Sequence, residues 1–188
     1  VLERASAGGG SSALCGGFIY LGGGTRVQKL NGFDDTVEDM FKYLMAMTPN
    51  PDEEKIRLYC ENSLEHFDWL ERQCIFFNNG FYPDKHFEHS TAEFHKYHDW
   101  VQPLVEPPFA ALDCSLGSAF YSGFSLGGLA TNAKAQVLDA SGKPIAGLYA
   151  AGACATNIAK DGMGYSSGTC VGESTFFGRQ AGNDVVRR

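Results

Sequence analysis

"GMGYSSGTCVGES", residues 162–174, sets one tyrosine among four glycines, three serines and a threonine. It follows an apolar run, GLYAAGAC (147–154), and leads into TFFGRQAG (175–182). A short buried strand, a glycine loop and then a helix is the order expected of an α/β fold. The helix is predicted to start near Gly168 and to run through Phe177 towards Val186. Small residues at 166–170 let the backbone come close to something flat and large. The N-terminal end of such a helix carries partial positive charge, which stabilises negative charge placed against it. Tyr165, read alone, is either a packing tyrosine with a satisfied hydroxyl or a group that handles a proton beside that surface.

Working outward, KAQVLD (134–139) reads as a strand, ASGKP (140–144) as a turn, and GFSLGGLAT (123–131) as part of a further strand. At the other end, VLER (1–4) reads as the end of a buried strand. An acidic residue there, Glu3, is either an ordinary surface glutamate or the carboxylate that accepts hydrogen bonds from a nucleotide ribose. GGGSSALCGG (8–17) is either a simple glycine turn or a helix start that offers N–H groups to phosphate. FDDTVEDMFKYLMAM (33–47) is a predicted helix, with Val37, Met40, Phe41, Leu44 and Met45 on one face. A second long helix is predicted over 52–72, with Ile56, Tyr59, Cys60, Leu64, Phe67 and Leu70 as its apolar stripe. From 75 to 110 no helix or strand period holds.

The bulk numbers exclude several classes. With 188 residues, 44% of them apolar, the chain can bury one sizeable core or two small ones. A formal charge of −7 with no basic stripe argues against nucleic acid as a partner. No apolar run reaches membrane-spanning length, and the first residues do not read as a signal peptide. The six cysteines, at 15, 60, 74, 114, 154 and 170, form no C-x-x-C pair and read as reduced thiols of a cytoplasmic protein. His86, His89, His95 and His98, with Glu88 and Glu93, fit no common zinc spacing; they read as solvated loop histidines, and no metal site is expected.

Taken together, VLERASAGGGSSALCGGFIYLGGGT (1–25), GFSLGGLATNAKAQVLDASGKPIAGLYAAG (123–152) and GYSSGTCVGESTFFGRQAG (164–182) resemble the FAD-dependent 3-ketosteroid dehydrogenases, within the fumarate-reductase-like flavoproteins. The Gly-Tyr-x-Ser-Gly-Thr loop is closest to the Δ4-(5α)-dehydrogenases. The resemblance implies a partial Rossmann-like FAD-binding domain: a parallel sheet flanked by helices, with an antiparallel hairpin part. It implies Glu3 as the FAD ribose ligand. Gly10, Ser11, Ser12, Ala13, Gly16 and Gly17 would line the pyrophosphate and flavin. Ala151 and Gly152 would pack on FAD at the end of their strand. Gly168, Thr169, Cys170 and Val171 would offer backbone to the flavin or to a substrate C3 carbonyl. Tyr165 and Ser167 would stand at the catalytic face.

The reaction implied is desaturation of ring A of a 3-ketosteroid, with hydride passing to flavin N5 and the proton to a tyrosine-based relay. A 4,5 double bond results, and an unidentified acceptor takes the electrons. Alternatives are a Δ1-dehydrogenase, a fumarate-reductase-like enzyme, or an inactive remnant serving as a binding or assembly module. The catalytic loop has no arginine to clamp a dicarboxylate, the nearest being Arg179. The family's first strand and G-x-G-x-x-G loop would lie before Val1. Most of its substrate domain, with a second catalytic tyrosine, would fall between the second helix and the C-terminal motifs. The expected division is therefore 1–91 and 92–188, both parts of the FAD-binding domain, with a discontinuity between Thr91 and Ala92.

Overall fold

The computed structural model describes residues 17–75, 77, 113, 126–156, 158–160 and 165–187. Thr91, Ala92 and the four histidines near them lie outside the described residues. The glycines at 22–24 break the chain as expected, but a short helix, α1 (Arg26–Leu30), follows at once. Thr25 and Gln28 start it with a reciprocal capping box. The predicted helix over 33–47 is α2 (Val37–Met47), capped by Thr36. Thr36 accepts the Asp39 N–H at 3.1 Å, and Glu38 and Asp39 complement the positive end of the helix. Met40, Phe41 and Leu44 form its buried face.

The single helix expected over 52–72 is two helices, α3 (Glu53–Glu61) and α4 (Ser63–Arg72). Asn62 makes the break. Its backbone leaves the helical region, with φ −101° and ψ 4°, and its side-chain amide donates to the Leu58 carbonyl at 2.8 Å. The bend turns Ser63 inward, where its hydroxyl accepts from Gly22 N–H at 3.1 Å and donates to the Gly22 carbonyl at 2.9 Å. Leu64 is thereby turned outward to 36% exposure, so it leaves the expected apolar stripe. The other five residues of that stripe are buried.

A hairpin follows in the second half: β1 (Gln136–Leu138) pairs antiparallel with β2 (Pro144–Tyr149). Asp139 holds the turn by accepting from Ser141 and Lys143 N–H groups, and Gly142 supplies a φ of +80°. A parallel bridge, Leu129 with Ala155, flanks the hairpin. Among the described residues the sheet is this antiparallel pair, so the flanked parallel sheet expected from the sequence is seen only as that bridge. The strand expected to be buried at 147–152 is exposed along β2: Ile145 and Leu148 stand 41% and 43% open. Burial begins only where the strand ends, at Ala150 and Gly152, because there it meets the last helix.

That helix is α5 (Thr169–Val186), starting at Gly168 as expected. Phe176 and Phe177 of α5 close one core with Met40, Phe41 and Leu44 of α2, and with Ile56, Tyr59 and Cys60 of α3. Full burial of aromatic and branched side chains of this size stabilises by about 1.5–3 kcal/mol each.

Candidate functional site

Five residues from Tyr165 to Thr169 bring the C-terminal motif onto the N-terminal segment. Gly168 caps α5 in the left-handed region, at φ +87°. A Cβ there would lie 2.7 Å from the Tyr20 nitrogen and 2.8 Å from the Phe18 carbonyl carbon. This close approach allows the Tyr20 N–H to donate to the Gly168 carbonyl at 3.0 Å. The Ser166 carbonyl accepts twice from Thr169, from its N–H at 3.0 Å and its hydroxyl at 2.7 Å. One helical turn on, Gly172 leaves room for Tyr59, whose hydroxyl donates to the Tyr20 carbonyl.

The first turn of α5 holds no acidic side chain, so its positive end is not neutralised locally. Tyr165 is half-buried there, and its oxygen accepts the Cys170 N–H at 3.3 Å. Burial pushes the Tyr165 phenol up, while the N–H groups of Cys170 and Gly168 pull it down; burial wins, and the phenol stays protonated at neutral pH. Thr169 is buried and Ser167 is exposed on the outer side of the turn. Cys170 and Val171 are half-buried.

Gly152 is buried at φ +79°, and a Cβ there would meet the Ser174 hydroxyl at 2.7 Å. Its small size thus serves the packing of the strand end against α5, with Ala151 beside it half-buried. Gly17 is exposed at φ +75° with open space around it, so backbone conformation rather than crowding requires glycine. Glu3, Gly10, Ser11, Ser12, Ala13 and Gly16 lie outside the described residues. Of the N-terminal residues expected to line the cofactor, Gly17 is described; it lies three residues before Tyr20, whose N–H donates to the Gly168 carbonyl. Thin backbone, the positive end of α5 and a protonated phenol make a surface that suits a large planar group bearing negative charge. Arg179 is committed elsewhere; its fork bonds Glu65 at 2.6 and 2.8 Å and stacks on Trp69.

Sequence reasoning missed Glu173. It is 2% exposed and accepts the Ile158 N–H at 2.6 Å. Burial pushes its carboxyl up to about 8, against the pull of that N–H and of Lys55. Lys55 is itself buried, its pKa lowered by burial, and it donates to the Thr131 hydroxyl at 2.9 Å. The signal was present: Thr169, Glu173 and Phe176 share helical spacing with the buried face.

A pH dependence follows. Folded Glu173 keeps a proton that the unfolded chain releases near pH 4.5, so its contribution to stability falls as pH rises from there towards about 8. His66, held down to about 4 by burial, acts in the opposite direction below 6.5. Glu173→Gln retains an acceptor for Ile158 and removes only the carboxyl's slope. Its urea midpoint is expected to gain on the wild type between about pH 5 and about pH 8. Parallel curves would show that the carboxyl does not titrate in the folded state.

Comparison with known proteins finds flavoprotein relatives over part of the chain. Residues 84–171 match the FAD binding domain family. The vinyl phenol reductase of Lactiplantibacillus plantarum is 36% identical over 96 residues, which take in 50% of this chain and 19% of that enzyme. The crystal structure of 3-ketosteroid-Δ4-(5α)-dehydrogenase from Rhodococcus jostii, in complex with 4-androstene-3,17-dione, is 53% identical over the part aligned. That part covers 43% of this chain and 17% of the dehydrogenase, with a TM-score of 0.41. The chain thus spans less than a fifth of the length of either protein. The family match contains the hairpin, Tyr165, Gly168 and the start of α5, and it indicates FAD as the cofactor.

Proposed function

We propose that this chain forms part of an oxidoreductase that introduces a 4,5 double bond into ring A of a 3-ketosteroid. The observation that carries the reading is the Tyr165 hydroxyl, held by the Cys170 N–H at the positive end of α5 within Gly-Tyr-Ser-Ser-Gly-Thr. FAD, when bound, supplies the hydride acceptor. Glu3, the glycines and serines of 10–17, and Ala151 and Gly152 would hold it. Gly168, Thr169, Cys170 and Val171 would line the flavin or face the substrate carbonyl, where the positive end of α5 acidifies the neighbouring C–H. Tyr165 takes the proton and must pass one on, since its buried phenol is already protonated. Ser167, exposed beside it, is the nearest hydroxyl open to solvent on that turn.

A second reading is favoured by the same protonated phenol and by the likeness to a vinyl phenol reductase. It is the reverse traffic: reduction of a conjugated double bond, with Tyr165 as proton donor. Dicarboxylate reduction is disfavoured because the Arg179 fork is held by Glu65.

One experiment separates these readings. The protein is reconstituted with FAD, its flavin absorbance recorded, and a 5α-saturated 3-ketosteroid supplied with an artificial electron acceptor. The 4-ene is the expected product. A 1-ene would assign a Δ1-dehydrogenase. Turnover of vinyl phenols alone, with reduced flavin, would establish the reductase. A protein that takes up no flavin would be a binding or assembly module.

A further inference from the structure

Tyr165 stands on a turn whose own geometry depends on a residue from the first half of the chain. Ser166 is 4% exposed, and its hydroxyl donates to the Tyr43 hydroxyl at 3.0 Å. The two residues are 123 positions apart. Ser166 is also the residue whose carbonyl receives both Thr169 bonds, and it directly follows Tyr165. Tyr43 is in turn braced: its ring stacks on Tyr20 at 6.4 Å with an interplanar angle of 24°. Tyr20 fixes the other end of the turn through its N–H on the Gly168 carbonyl. The turn is therefore gripped on both sides of Ser167, at Ser166 by a phenol and at Gly168 by a backbone amide.

We propose that Tyr43 is a positioning residue for Tyr165, acting through the Ser166 hydroxyl. This rests on the reading of Tyr165 as the proton-handling group. Tyr43 lies on α2, beside the apolar face formed by Met40, Phe41 and Leu44. A phenylalanine would satisfy the packing and the stacking equally well. The hydroxyl is the acceptor for Ser166. Without it, the buried Ser166 side chain loses its acceptor and the turn gains freedom next to the catalytic ring. Displacements of about 1 Å in a reacting group cost up to about 100-fold in rate, and loss of one distal restraint should cost less than that.

The test uses Tyr43→Phe, Ser166→Ala and the double variant, with two readouts. In protein carrying ring-labelled tyrosine, the Cζ resonance of Tyr165 is assigned from its absence in Tyr165→Phe and followed through a pH titration. The resonance is expected to move in both single variants. In turnover, each single variant is expected to lose about 10-fold in kcat with KM changed less than twofold, and the double variant to be no worse than either. A Tyr165 resonance unmoved in both singles overturns the proposal, and so do losses that multiply in the double variant. If Tyr165→Phe itself turns over normally, the catalytic reading of Tyr165 falls. The resonance then still decides whether Tyr43 sets the position of that ring.

Discussion

Tyr165→Phe is expected to leave FAD bound and to lower turnover by about 100-fold or more, the scale of losing an acid–base group. The substitution keeps the half-buried ring and removes the oxygen that accepts the Cys170 N–H at 3.3 Å. The turn itself is held by other bonds, from Thr169 to Ser166 and from Tyr20 to Gly168, so the flavin spectrum should not change. The loss should appear in kcat and kcat/KM together, because the phenol acts on the reacting proton and not on the rest of the substrate. Wild-type turnover by the phenylalanine variant would make Tyr165 a packing residue.

Gly168→Ala is expected to be strongly destabilising, because conformation and crowding act together there. At φ +87°, alanine is strained by about 1–2 kcal/mol. Its methyl would also lie within 2.7–2.9 Å of backbone atoms of Phe18, Ile19 and Tyr20, which cannot rotate away as a side chain would. Overpacking of that kind costs about 1–3 kcal/mol, and moving the 18–20 segment aside forfeits the Tyr20 bond, about 1 kcal/mol more. The expected total is about 3–6 kcal/mol, read as a lowered urea midpoint with loss of flavin. Gly178→Ala is the control. It lies inside α5 with nothing within 4 Å of a Cβ, and alanine there should be neutral or stabilising by up to about 1 kcal/mol. Equal behaviour of the two variants would refute the close-approach account of Gly168.

Elements whose signals are local were legible in the sequence. The apolar face of 37, 40, 41, 44 and 45 located α2, and the glycine loop located the start of α5 near Gly168. Asn62 was not legible as a break, because the apolar period continues across it; the break there comes with Ser63 turned onto Gly22, a contact 41 residues away. The exposure of β2 was hidden for a related reason. An apolar strand reads as buried whatever layer covers it, and among the described residues none covers Ile145 or Leu148. In the site, small residues and one tyrosine marked the turn. Tyr43 and Tyr59, which shape its surroundings, carry residue types equally at home in any amphipathic helix, whereas Glu173 was marked by its helical spacing on the buried face.

The bond between Tyr20 and Gly168 has a consequence for how the protein is made. A ribosome delivers the chain from its N-terminus at about 5–20 residues per second. The segment at 18–22 and the helices α1 to α4 emerge well before Gly168, Phe176 and Phe177. Until those residues arrive, Met40, Leu44, Ile56 and Tyr59 have no α5 to bury them. Contacts so distant in sequence close slowly, after local helices have formed. The nascent protein therefore waits with an open apolar face, a natural substrate for chaperones, and its Tyr165 turn is set only as translation of this stretch finishes.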